Sequence, residues 1–245
     1  MTVDFIIPDW PAPKAIKALS TTRLGGVSSV PYDSLNLATH VGDNPSTVST
    51  NRHILTEQAH LPEPPRWLNQ THGTAVINSR DWQLDCDADA CYSLDFNHVC
   101  TVMTADCLPV LICDKQAGFI AAAHAGWRGL ADGIIEKIIA HYQAAPSDLM
   151  VWLGPAISPN HFEVGTDMYD IFTTQSAIAK NAFVQTDSTH YLADIYHLAR
   201  LRIQQMGVNA IYGGDSCTVS DAARFFSYRR DGVCGRMASM IWIEN

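Results

Sequence analysis

Between residues 99 and 123 the chain carries three apolar runs almost end to end: "VCTVMT" at 99–104, "LPVLIC" at 108–113 and "GFIAAA" at 118–123. Each is short, rich in aliphatic side chains and bounded by Asp, Asn, Pro or Gly, which is the pattern of strands buried in a sheet. The same signature recurs at 15–22, 74–79, 87–92, 148–153, 208–212 and 237–243.

Helical period is rarer. In "LADGIIEKIIAHYQ", residues 130–143, the apolar positions Leu130, Ile134, Ile135, Ile138, Ile139 and Tyr142 fall on one stripe, so one helix is expected there. A second is expected at 192–206, stopped by Gly207. A third begins after Asn44, a capping residue followed by Pro45 at the first helical position. Its apolar stripe would run Val48, position 52, Leu55 and Ala59, which places Arg52 on the inward face. Many strands with a few helices, out of strict alternation, predict an α+β fold with a mixed sheet or two packed sheets. No linker, repeat or low-complexity tract divides the 245 residues, which predicts a single domain over 1–245.

Charge then narrows the partners. With 16 basic against 25 acidic residues the net charge is −9, which disfavours nucleic acid, because that affinity rests on neutralising phosphates. No apolar stretch reaches the roughly 18 residues of a membrane span, and the N-terminus lacks the basic and apolar regions of a signal peptide. A cytoplasmic protein acting on a small molecule is expected, and no sequence feature sets an oligomeric state. The seven cysteines form no CxxC pair, so most are expected to be small buried hydrophobes.

Several chemistries lack their motifs. No GxGxxG follows a strand, and GxxxxGK[ST] and GxSxG are absent. "HFE" at 161–163 matches half of a zinc deaminase signature whose PCxxC half is missing. A better set is spread along the chain: His72 in "NQTHGTAV", Cys107 in "TADCLPVL" and His124 in "AAAHAGWRGL". Each sits at a strand boundary beside a turn-forming or small residue, where scaffolds often present functional groups. Two imidazoles and a thiolate make a zinc set that leaves a fourth position open, the mark of a catalytic site. The competing reading is two loop histidines and a core cysteine.

The blocks "TTRLGGVSSVPYDSLNLATHVGDNPSTVSTNR", "WLNQTHGTAV", "DADA", "TADCLPVLICD", "AAAHAGWRGLADGI", "WLGPAISPNHFEVG" and "FFSYRRDGVCGRMASMIW" resemble the bacterial purine nucleoside phosphorylase family. That family was formerly labelled multicopper polyphenol oxidase or laccase-domain, and is also called peptidoglycan editing factor. The resemblance spans nearly the whole chain. It implies β-sheets packed as a sandwich flanked by helices, with Zn2+ on His72, Cys107 and His124. It further implies phosphorolysis of adenosine, inosine, guanosine or methylthioadenosine, with adenosine deamination beside it. One departure is Cys234 in "DGVCGR", where threonine is expected.

Phosphate needs positive charge, and Arg23, Arg52 and Arg128 are the candidates, Arg128 because it would start a helix beside exposed N–H groups. Two alternatives use the same residues. Cys107 could act as a nucleophile with a histidine base, or the metal could serve amide hydrolysis of a UDP-muramyl-amino acid. Laccase chemistry is disfavoured: the ten histidines include no HxH pair, although a His2Cys set also suits a single copper ion.

Overall fold

The three central runs become strands that divide between two sheets. The computed structural model describes residues 2–245. It begins with β1 (Phe5–Ile6), β2 (Ile16–Thr21), helix α1 (Pro45–Gln58), β3 (Val76–Asn78) and β4 (Ala90–Ser93). The apolar runs follow as β5 (Cys100–Thr104), β6 (Leu108–Asp114) and β7 (Ile120–Ala125). Then come α2 (Trp127–Ala131), α3 (Ile134–Ile139), β8 (Leu149–Leu153), β9 (Glu163–Gly165), α4 (Thr166–Gln175), β10 (Phe183–Gln185) and β11 (His190–Ala193). The described chain closes with α5 (Ile195–Gln205), β12 (Ala210–Gly213), α6 (Tyr228–Asp231) and β13 (Met237–Ile243).

One sheet has the order β1-β2-β13-β5 and the other β12-β8-β6-β7-β4-β3, with a small third sheet β10-β11-β9. The strand period of two sorts β6 between two cores. Leu108, Val110 and Ile112 pack with the helices, while Leu111 and Cys113 pack with Val102, Ile241 and Ile243 of the facing sheet. The far face of that sheet is covered by α1 and the loops before it, through Leu35, Leu37 and Leu55 against Met103 and Met240. The result is the expected α+β sandwich with helices on its outer faces.

Strand directions bring one edge of this sandwich together. β6 and β7 are antiparallel, with Pro109 opposite His124, so the entry to β6 lies beside the exit from β7. β4 begins there, Ala90 opposite Ala123, and β8 ends there, Leu153 opposite Val110. In the other sheet Thr104, the end of β5, pairs with Met237, the start of β13. Three residues, Ala105, Asp106 and Cys107, carry the chain across from β5 to β6, and Asp106 turns it at φ +87°.

Three expectations need correction. The helix expected at 130–143 is two short ones, because Gly133 adopts φ +90° between α2 and α3. The expected helix at 192–206 starts only at Ile195, since residues 192 and 193 end β11. The inward stripe of α1 is Val48, Asn51 and Leu55, and Arg52 is only half-buried. The strands of the third sheet and helix α4 were not expected at all.

Asn51 takes the inward place because its amide is fully used. It accepts from the Val27 N–H and donates to Ser28 Oγ and to the carbonyls of Ser34 and Asn36, tying α1 to the loop 27–36. Asn51→Ala should therefore cost about 2–4 kcal/mol, at ~1–3 kcal/mol for each buried group left unpaired. Urea unfolding measures this, and a loss under about 1 kcal/mol would mean the loop is held by other contacts.

Candidate metal and active site

At the edge where the two sheets meet, His72, Cys107 and His124 come together. One ligand atom from each lies within 4.8 Å of the others, and His72 Nε2 is 3.9 Å from Cys107 Sγ. The imidazoles meet edge to face, with centroids 4.7 Å apart. His124 is buried, Cys107 half-buried and His72 exposed, so the cluster opens to solvent on one side.

A carboxylate that the sequence reading did not single out holds both histidines. Asp89 is fully buried and accepts from His124 Nδ1 at 2.8 Å. It also accepts the backbone N–H groups of Thr71, His72 and Gly73 and the Thr71 hydroxyl. The bond at Nδ1 leaves Nε2 as the His124 nitrogen free to face the cluster. His72 sits at φ +60°, a left-handed conformation that is costly for histidine, and the three successive N–H bonds to Asp89 hold it there. The only sequence signal for this was the acidic pair in "DADA".

A second carboxylate fixes Cys107 from behind. Asp106 accepts from Thr218 Oγ1 at 2.6 Å, Ser227 Oγ at 3.0 Å and the Arg229 N–H at 2.7 Å. Its own carbonyl accepts from the Ile157 N–H. Gly126 completes the cradle. A Cβ there would stand 3.2 Å from both Cys107 Sγ and His72 Cδ2, and 3.6 Å from His124 Cε1.

Burial alone would keep Cys107 protonated. The positive charge of His124 and hydrogen bonds from His124 and His72 outweigh it and bring the thiol down to about 6. Burial likewise disfavours charge on His124, but the Cys107 thiolate and the Asp89 hydrogen bond outweigh it and raise the imidazole to about 9. Between those values the metal-free cluster holds thiolate beside imidazolium.

Two cavities meet at Cys107. The larger, about 350 Å³, is the more polar of the two and is lined by His40, Gln70, Met103, Thr104, Ala105, Tyr228 and Arg236 together with the cluster. The smaller, about 140 Å³, is mainly apolar, with Trp127, Ile157, Phe162, Ile195, Tyr228 and Arg229 on its walls. Sequence reasoning missed these lining residues, since nothing in their spacing marks them.

None of the three arginines singled out from sequence lines either cavity. Arg23 is engaged by Asp33, the Ala222 carbonyl and the Phe226 ring. Arg52 donates to the Leu37 carbonyl and stacks on Trp67 at 4.0 Å. Arg128 is exposed over Trp127, and the helix it was expected to start, α2, is only five residues long.

The cluster fits a metal by its donor chemistry and its spacing. One thiolate and two imidazole nitrogens suit zinc, whose bonds of about 2.0–2.3 Å place ligand atoms about 3.3–3.7 Å apart. The observed atoms, within 4.8 Å of one another, need to close by at most about 1.5 Å to reach that. Among the described residues no other His, Cys, Asp or Glu joins the group, so one coordination position is left for a reacting molecule.

Residues 17–244 match the family described as multi-copper polyphenol oxidoreductase laccase. The chain is 50% identical to "Purine nucleoside phosphorylase YfiH" of Escherichia coli K12, over 97% of this chain and 98% of that one. It is 49% identical to a Haemophilus influenzae protein named purine nucleoside phosphorylase, covering 98% and 99% of the two chains. Among solved structures it resembles the Neisseria meningitidis protein NMB0706, with a TM-score of 0.95 and 51% identity over 98% of this chain and 99% of that one.

Two measurements test the cluster. Gly126→Ala should weaken zinc binding at least about tenfold, because its methyl fills the space between the ligands, while metal-free protein unfolds at an unchanged temperature. Retained zinc affinity would show that the cradle is not the metal position. In chelator-treated protein, peptide-resolved alkylation of Cys107 should reach a plateau above about pH 7 and fall tenfold per unit below about pH 5. A rate still rising through pH 9, as for an ordinary thiol, would remove the ion pair.

Proposed function

The chain belongs to the multi-copper polyphenol oxidoreductase laccase family, and we propose that within it this protein is a zinc-dependent purine nucleoside phosphorylase. The observation that carries this reading is a set of three metal-type ligands, open on one side, where a larger cavity with polar groups on its wall meets a smaller, mainly apolar one. The names of relatives about half identical over nearly the whole chain support the reaction class. The substrates would be adenosine, inosine, guanosine or methylthioadenosine with phosphate, giving base and ribose 1-phosphate, with adenosine deamination as a side activity.

His72, Cys107 and His124 would hold the metal, and zinc there would supply a Lewis acid with a free position. Asp89 holds the His124 imidazole and the His72 backbone in place before any ligand arrives, so little reorganisation is needed at the moment of reaction. The aromatic walls of the smaller cavity suit a flat base, while the larger one suits ribose and phosphate. Partial burial and the charges of Arg236 and Arg52 hold His40 below the ordinary imidazole range, so it meets substrate as a neutral hydrogen-bonding group at neutral pH.

The copper in the family description does not carry over as laccase chemistry. The cluster is one mononuclear set, and ten histidines without an HxH pair do not supply a multicopper centre. A second reading has its own support: the thiolate–imidazolium pair would make Cys107 a nucleophile in metal-free protein.

The test is zinc-loaded protein incubated with adenosine, with and without phosphate, and separation of the products. Adenine formed only with phosphate is expected, and inosine in both samples would add deamination. Cys107→Ala should lose zinc and about a hundredfold or more of the rate. A rate that survives chelation would favour the nucleophilic cysteine. Unchanged adenosine beside hydrolysis of a UDP-muramyl-amino acid would make the protein a cell-wall precursor amidase.

A further inference from the structure

The wall of the larger cavity is an exception to the charge of the molecule. The chain is at −9, yet among the described residues no Asp or Glu lines this cavity. Its one permanently charged wall residue is Arg236, which forms no salt bridge among the described residues, although most other arginines of the chain do. A half-buried guanidinium without a carboxylate, at the rim of a concave site, focuses positive potential into that site.

The side chain is also held in place. Arg236 Nη1 donates to the carbonyls of Cys234 and Gly235, at 2.9 and 3.0 Å, and its backbone N–H donates to Asn36 Oδ1. Nε and Nη2 have no hydrogen-bond partner among the described residues, and the guanidinium lies over the Tyr228 ring at 5.9 Å. That leaves one edge of the guanidinium with two parallel N–H donors, the geometry that meets two oxygens of a tetrahedral oxyanion. The Arg236 carrier strand explains its aim: residue 237 opens β13 opposite Thr104, immediately before the three-residue crossover that delivers Cys107. Arg52 acts on His40 through its charge and adds to the same field without lining the cavity.

We infer that Arg236, with His40 beside it, forms an oxyanion subsite of the larger cavity that receives a phosphate group next to the His72–Cys107–His124 cluster. Taken with the proposed phosphorolysis, on which this identification of the anion as inorganic phosphate rests, Arg236 binds the attacking phosphate. The role first assigned to Arg23, Arg52 and Arg128 then passes to a residue near the C-terminal end of the chain. The same chemistry would hold the phosphate of a nucleotide-linked substrate.

The experiment compares zinc-loaded wild type with Arg236→Gln and Arg236→Lys by two readouts. The first is the KM for inorganic phosphate against the KM for adenosine; the second is the rise in unfolding temperature on adding inorganic phosphate alone, which needs no turnover. Arg236→Gln should raise the phosphate KM by about ten- to a hundredfold with a small change in the adenosine KM, and should abolish the thermal shift. Arg236→Lys, which keeps the charge without the fork, should fall between. A phosphate-induced shift lost in Arg236→Gln, from protein that leaves adenosine intact, would keep the subsite and overturn the phosphorylase reading. In that case a shift with uridine diphosphate larger than with phosphate would identify the nucleotide-linked source. The subsite is overturned if both Arg236 variants, shown folded by their unfolding temperature, keep the wild-type phosphate KM and shift. It is equally overturned if the loss follows Arg52→Gln or Arg128→Gln instead.

Discussion

A buried carboxylate must be satisfied or it destabilises the fold by several kcal/mol, and the satisfaction of Asp89 organises everything around it. Its two oxygens take an imidazole N–H, a hydroxyl and three consecutive backbone N–H groups. Those bonds come from the loop before β3 and from β7, while Asp89 itself leads into β4. One side chain therefore welds three segments at the end of the six-stranded sheet. The hydrogen bonds that favour the charged form outweigh the cost of burial, so Asp89 is held below the usual carboxylate range. The left-handed turn at His72 persists because this network over-determines it.

Asp106 repeats the device on the opposite side. Its partners Thr218, Ser227 and Arg229 lie more than a hundred residues away in the chain, so it fastens the C-terminal loop over the crossover between the sheets. That fastening puts Tyr228 on the wall shared by both cavities, and Arg229 beside Phe162. The ligand cluster is thus set between two carboxylates whose oxygens are bound inward, one behind the histidines and one behind the cysteine.

Much of this was legible from the sequence, and the parts that were not have a common cause. The strands around 100–125 are long enough and apolar enough for their pattern to show: β5, β6 and β13 lie within a residue of where they were expected, and β7 starts and ends two residues later. Strands of three or four residues such as β9, β10 and β11 carry too few positions for a period of two to be seen. Gly133 sits within an unbroken apolar stripe, and only its positive φ, which sequence does not display, splits the helix. The three members of the His72–Cys107–His124 cluster could be named from residue type and strand position. The cavity walls could not, because Gln70, Tyr228 and Arg236 are brought to Cys107 by sheet register and by Asp106. Arg52 was misassigned for a related reason: three and four residues along a helix are both inward, and the hydrogen bonds waiting in the loop 27–36 selected Asn51.

The placement of the acidic residues also explains how an acidic protein keeps a site for anions. The two carboxylates nearest the cluster spend their charge on N–H and O–H donors of the scaffold, and neither stands on the wall of the larger cavity. Their field there is offset locally by the donors they bind. Arg236 faces inward with no such partner, and the metal-free cluster contributes a thiolate and an imidazolium that cancel. The sign of the cavity is therefore decided by one guanidinium and by whatever cation the cluster holds, while the remaining acidic residues act from beyond the cavity wall, where salt at physiological strength screens exposed charges over about 8 Å. An anionic co-substrate would be drawn to this cavity even though the protein as a whole repels it.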